Sequence, residues 1–75
     1  MTLFNLRPNN DTQVSKINLP WKIRKKLMEL SIIPKAKIKF INKNNIGGII
    51  LVQIGQTHVA LDKEIAKKIE INRID

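Results

Sequence analysis

Apolar and polar positions alternate along this chain with a period that changes several times, and each change marks an element. Between Trp21 and Lys39, in WKIRKKLMELSIIPKAKIK, the period passes from helical to extended. Ile23, Leu27 and Leu30 fall at i, i+4 and i+7, which predicts a helix with that apolar stripe turned to the core. Pro20 suits the first helical position, where a missing N–H costs nothing. Pro34 forces the helix to stop a few residues earlier and biases Ile33 toward extended backbone. From Lys35 to Ile41 the period is two. Lys35, Lys37 and Lys39 alternate with Ala36, Ile38 and Phe40, as in a strand with one wet and one dry face.

The flanking segments follow the same logic. Leu3, Phe4 and Leu6 run into the turn-forming cluster Arg7-Pro8-Asn9-Asn10-Asp11. Thr12 to Ile17 reads as a first strand with Val14 inward. Asn42 to Gly48 is a polar loop ending in two glycines, and the nearly continuous apolar run Ile49 to Ile54 has the composition of a central strand. Gly55-Gln56 predicts a two-residue type II′ hairpin loop joining that run antiparallel to Thr57–Leu61. Asp62 is placed to cap a helical turn over Lys63 to Lys68, with Glu64 and Lys68 at i and i+4 and Ala66 facing in. Ile69, Ile71 and Ile74 then alternate with Glu70 and Asn72 in a last strand. The expected fold is mainly β, one domain over residues 1–75. It is a small barrel of about five strands, closed so as to leave no exposed edge, with one α-helix between strands 1 and 2 and a short C-terminal helical turn.

Composition narrows the function classes. A chain of 75 residues buries only about 60% of its unfolded surface, and with three aromatics the core must be built from Ile, Leu and Val. The absence of cysteine excludes a disulfide framework, a thiolate nucleophile and a zinc knuckle. MTLFNLRPNND lacks the pattern of a signal peptide, and no segment approaches the ~18 apolar residues of a membrane span, so the chain reads as cytoplasmic. The net charge of +8 points toward an anionic partner in general. Lys, Ile and Asn recur at core, surface and turn positions alike, as compositional drift also produces, so charge alone names no partner.

Candidate chemistry is sparse. An iron(II) site of the common oxygenase type needs two His and a carboxylate, whereas this chain has His58 alone, so no metal site or cofactor is expected within one subunit. His58 falls on the outward side of its strand together with Ala60, since Val59 and Leu61 are the better inward residues. Gly47-Gly48 precedes an apolar strand and lacks the Lys-Ser or Lys-Thr of a phosphate-binding loop. Ser15 and Ser31 have no evident base, and the carboxylates form no acid–base pair, so no catalytic residue is assigned.

The succession Leu3-x-x-Leu6-x-Pro8, Arg24-Lys25-Lys26-Leu27-x-x-Leu30-x-Ile32-x-Pro34, Ile46-Gly47, Val59-Ala60-Leu61 and Ala66-x-x-Ile69 resembles FeoA, the ferrous iron transport protein A family, over nearly the whole chain. The resemblance implies an SH3-like barrel. It also implies a small cytoplasmic accessory protein that regulates or assembles FeoB, a membrane iron transporter with a cytoplasmic GTPase domain. The family places Gly, or prolines in the later loop, where this chain has Asn9, Ser31, Lys35, Asn45 and Ile49. Asn9 tolerates the left-handed region that Gly would use, and Ser31 less well.

With Ile23 inward, Trp21, Lys25 and Met28 fall nearly opposite on the helix, an apolar pair beside a cation that the chain's own core does not use. These three residues are the expected partner-binding face, for the GTPase domain of a FeoB-type transporter. Contact with a membrane is expected only through that partner, and specific nucleic-acid binding is not expected. Two other readings stay open. One is an SH3-like nucleic-acid-binding or transcriptional-repressor-associated domain, which needs a basic groove studded with aromatics. The other is a homo-oligomer associating through the lysine strand or a terminal strand.

Overall fold

The computed structural model describes residues 1–44 and 46–74. A single 3-10 turn at Leu3–Asn5 precedes β1 (Thr12–Ile17), α1 (Trp21–Glu29), β2 (Lys37–Asn44), β3 (Ile49–Ile54), β4 (Thr57–Asp62), α2 (Lys63–Ala66) and β5 (Ile69–Arg73). The sheet runs β4-β3-β2-β1-β5, antiparallel throughout. β2 is therefore the central strand, not the Ile49–Ile54 run. β3 is apolar because Ile50, Val52 and Ile54 are buried while Leu51 is half-buried and Ile49 exposed on the other face. The sheet is not closed: among the described residues β4 and β5 do not pair, and the chain crosses between them through α2, whose Ala66 is fully buried.

α1 forms where its stripe predicted, with adjustments at both ends. Pro20 is the N-cap instead of the first helical residue. Its ψ of 154° is extended, and its carbonyl accepts from the amides of Ile23 and Arg24. Leu27 is buried and Ile23 half-buried, but Leu30 is 41% exposed, contrary to the expected stripe. The helix ends at Glu29 in a Schellman motif, with Ser31 N–H donating to Met28 O and Ile32 N–H to Leu27 O, both at 2.9 Å. That reversal swings Ile32, 0% exposed, into the place Leu30 was expected to fill.

Ile33-Pro34-Lys35-Ala36 is a tight turn, with Pro34 at its second position and Ala36 N–H donating to Ile33 O at 3.0 Å. Lys35 has φ 75°, as the third position of a type II turn requires. β2 consequently begins at Lys37, two residues later than its alternation suggested. It also runs on to Asn44, because Asn42, Lys43 and Asn44 pair with Leu51, Ile50 and Ile49 beyond a bulge at Ile41. Partner strands overrode the loop preference of asparagine here. Of the expected loop, Asn45 lies outside the described residues.

The hairpin expectation holds: Ile54 pairs with Thr57, and Gly55 has φ 59°. Asp62 caps α2, its carboxylate accepting from Ile65 N–H at 2.9 Å. Val14, Ile38, Ile50, Val52, Ile69 and Ile71 join Leu3, Leu6, Leu27 and Ile32 in one core. Thr12, the buried polar residue among them, donates its hydroxyl to Ile38 O at 3.0 Å.

Candidate functional site

The flank of α1 beside its core-facing side borders an open groove of about 250 Å³ against β1 and the Ile33-Pro34 turn. Trp21 and Met28, 58% and 48% exposed, line it, and Ile17, Ile33 and Pro34 add further apolar surface. Helix geometry explains the grouping. At about 100° per residue, and with Leu27 inward, Met28 and Trp21 lie about 100–120° round the helix and Arg24 about 60°. They therefore share the flank above β1.

Of the three residues expected to form the partner face, the groove brings together Trp21 and Met28. Lys25, about 160° from Leu27, is exposed and points away from the lining. Its place is taken by Arg24, whose guanidinium lies 5.6 Å from the Trp21 ring centroid, within cation–π range. A second cation comes from β1. The pairing of β1 with β5 shifts between Val14 and Lys16, a bulge that leaves Ser15 and Lys16 both exposed and brings both to the groove. Strand alternation alone did not reveal that contribution, since a bulge is set by its pairing partner.

Other candidate chemistry finds no site. His58 is exposed on β4 opposite Gln53. Among the described residues, no three His, Cys, Asp or Glu side chains cluster to hold a metal ion. At Gly47-Gly48, Asn44 Oδ1 accepts the amides of Ile46 and Gly47 at 3.0 and 3.1 Å, so an internal side chain takes the donors a phosphate would need. No described helix is long and apolar enough to cross a membrane.

Charge is distributed unevenly over these elements. Residues 12–44, covering β1, α1 and β2, hold nine of the 14 Lys and Arg but, among the six acidic residues, only Glu29. The rest of the chain holds five of each. The whole net charge of +8 thus belongs to the part that builds the groove. Summing charge element by element reveals this in the sequence; a chain-wide total hides it.

A family model described as FeoA domain matches residues 1–73. The solution structure of iron(II) transport protein A from Clostridium thermocellum superposes with a TM-score of 0.90 at 23% identity, over 99% of this chain and 46% of that one. The crystal structure of Stenotrophomonas maltophilia FeoA with zinc matches at 30% identity and a TM-score of 0.76, over 96% of this chain and 89% of that one. That protein is described as a prokaryotic SH3 domain protein and put forward as a ferrous iron transport activating factor. The manganese regulator SloR has a TM-score of 0.82 at 9% identity, over 99% of this chain and 34% of that one, a likeness of fold alone. This chain thus spans under half the length of the Clostridium protein and about a third of SloR. Comparison with curated proteins returns no match.

Proposed function

Because the chain belongs to the FeoA family, whose members are linked to ferrous iron transport, we propose that it is a small non-enzymatic cytoplasmic accessory protein of bacterial ferrous iron uptake. It docks on the cytoplasmic GTPase domain of a FeoB-type transporter and regulates or assembles it. The docking face is the Trp21 and Met28 flank of α1, with Arg24 and Lys25 as its cationic edge. The observation that carries this reading is the exposure of Trp21 and Met28 on one groove, beside a helix whose Leu27 is committed to the core. An aromatic and a methionine ringed by cations have the composition of interface anchors, and loss of a central anchor costs about 2 kcal/mol or more in binding.

The test compares Met28→Lys with Leu27→Lys in pull-downs of the GTPase domain. Met28→Lys retains a folded circular dichroism spectrum and loses binding, while Leu27→Lys unfolds, since Leu27 is 4% exposed. A folded Met28→Lys that binds like the parent refutes the assigned face.

The repressor-associated reading has beside it only the likeness to SloR, which is one of fold and not of role. Its nucleic-acid form lacks the required stacking surface, because Phe4 and Phe40 are half-buried and leave Trp21 as the sole exposed aromatic.

A further inference from the structure

We propose that the β1–α1–β2 face binds anionic phospholipid membranes directly, with Trp21 and Met28 entering the bilayer interface while the surrounding lysines and arginines hold headgroup phosphates. This goes beyond transporter docking and does not depend on it. The first observation is the charge partition. Drift acts on a whole chain, yet every unit of net charge lies within residues 12–44, leaving the remainder balanced. Lys16, Lys22, Arg24, Lys25, Lys26 and Lys35 are all exposed there.

The second observation is the apolar group that two of these cations edge. Trp21, Met28 and Ile33, 58%, 48% and 42% exposed, line one groove edged by Lys16 and Arg24. An indole and aliphatic side chains set among cations is the composition of an interfacial anchor, because the indole favours the headgroup level and the apolar tips the acyl boundary. The third is the uniform sign of the charge. Glu29 is the sole carboxylate in these three elements. A headgroup plane demands no register, only positive charge at the right depth. A single-stranded polynucleotide held by stacking would demand a second exposed aromatic beside Trp21, which this face does not have.

The experiment uses the purified full chain and protein-free vesicles at near-physiological ionic strength. Trp21 is the only tryptophan, so its emission reports on this face alone. With phosphatidylglycerol-containing vesicles the chain co-sediments and Trp21 emission shifts to the blue; with phosphatidylcholine vesicles neither occurs. Each cation near an anionic surface contributes about five-fold in affinity, from ~1 kcal/mol per Lys or Arg. The double variant Lys16→Gln/Lys22→Gln, at cations outside the assigned docking edge, therefore binds about 25-fold more weakly, whereas Lys67→Gln/Lys68→Gln, with the same net charge, changes binding less than about two-fold. Equal loss in both double variants, equal binding to phosphatidylcholine, or sedimentation without a blue shift each overturns the proposal. Duplex DNA binding as tightly and giving the same shift overturns it in favour of non-selective polyanion binding. These outcomes leave the GTPase-domain pull-down unaffected, so failure here is distinct from failure of the docking assignment.

Discussion

Replacing Ser31 with glycine stabilises this protein, although nothing is added to the fold. Ser31 follows the last turn of α1 with φ 68°, and its amide and that of Ile32 close the Schellman motif on Met28 and Leu27. For a residue bearing a Cβ, left-handed backbone costs about 1–2 kcal/mol. It is held there because the motif carries Ile32 into the core above Leu27, at 0% and 4% exposure. Glycine removes the steric cost but gives the unfolded chain more freedom, worth about 0.4–1 kcal/mol in the opposite sense. The side chain itself is exposed, so no packing is lost. The net expectation is a gain of about 0.5–1 kcal/mol, and at about 4–8 °C per kcal/mol for a domain of this size the melting temperature rises by about 2–8 °C. Urea titration followed by far-UV circular dichroism reads the gain as a higher midpoint at unchanged m. Ser31→Ala is the control: it keeps the Cβ and stays within about 0.5 kcal/mol of the parent. A Ser31→Gly protein no more stable than Ser31→Ala would show that no left-handed strain is stored at this position.

Three further outcomes follow from other parts of the molecule. Ile32→Ala costs about 2–5 kcal/mol, a large fraction of the roughly 4–11 kcal/mol a 75-residue domain has in total, and it lowers the urea midpoint steeply. Asp62→Ala removes the carboxylate that accepts from Ile65 N–H and costs about 1 kcal/mol by the same titration; a variant as stable as the parent would mean the cap contributes nothing. Anaerobic calorimetric titration of the purified monomer with iron(II) gives no stoichiometric heat, since among the described residues no three His, Cys, Asp or Glu side chains cluster to hold a metal ion; a one-to-one site of micromolar or tighter affinity would reverse that assignment.

Several features were legible in the chain because they depend on neighbours two to four residues apart. The Ile23–Leu27 stripe, the Lys35–Phe40 alternation, the Gly55-Gln56 hairpin and the Asp62 cap each express a local geometric requirement, and each element formed within a few residues of its expected place. Among the described residues, the three non-glycine residues in left-handed backbone are Asn9, Ser31 and Lys35, all places where the resemblance to FeoA implies glycine. The backbone path there demands a positive φ whichever residue occupies it. Tertiary structure alone decided the rest. β2, not β3, became the centre of the sheet because the β1–β5 pair extends it on one side as the β3–β4 pair does on the other, and Asn42–Asn44 were drawn into that strand by Leu51, Ile50 and Ile49. Leu30 yielded its core position to Ile32 because the direction of the chain after a Schellman turn depends on what it must pack against. The groove joins Lys16 and Ile17 to Trp21, Arg24 and Met28 through a bulge in β1 whose register is set by β5, some 55 residues further along the chain. Periodicity tells which face of an element is apolar. Which other face it meets is settled by the simultaneous pairing and packing of distant segments, and no local pattern carries that information.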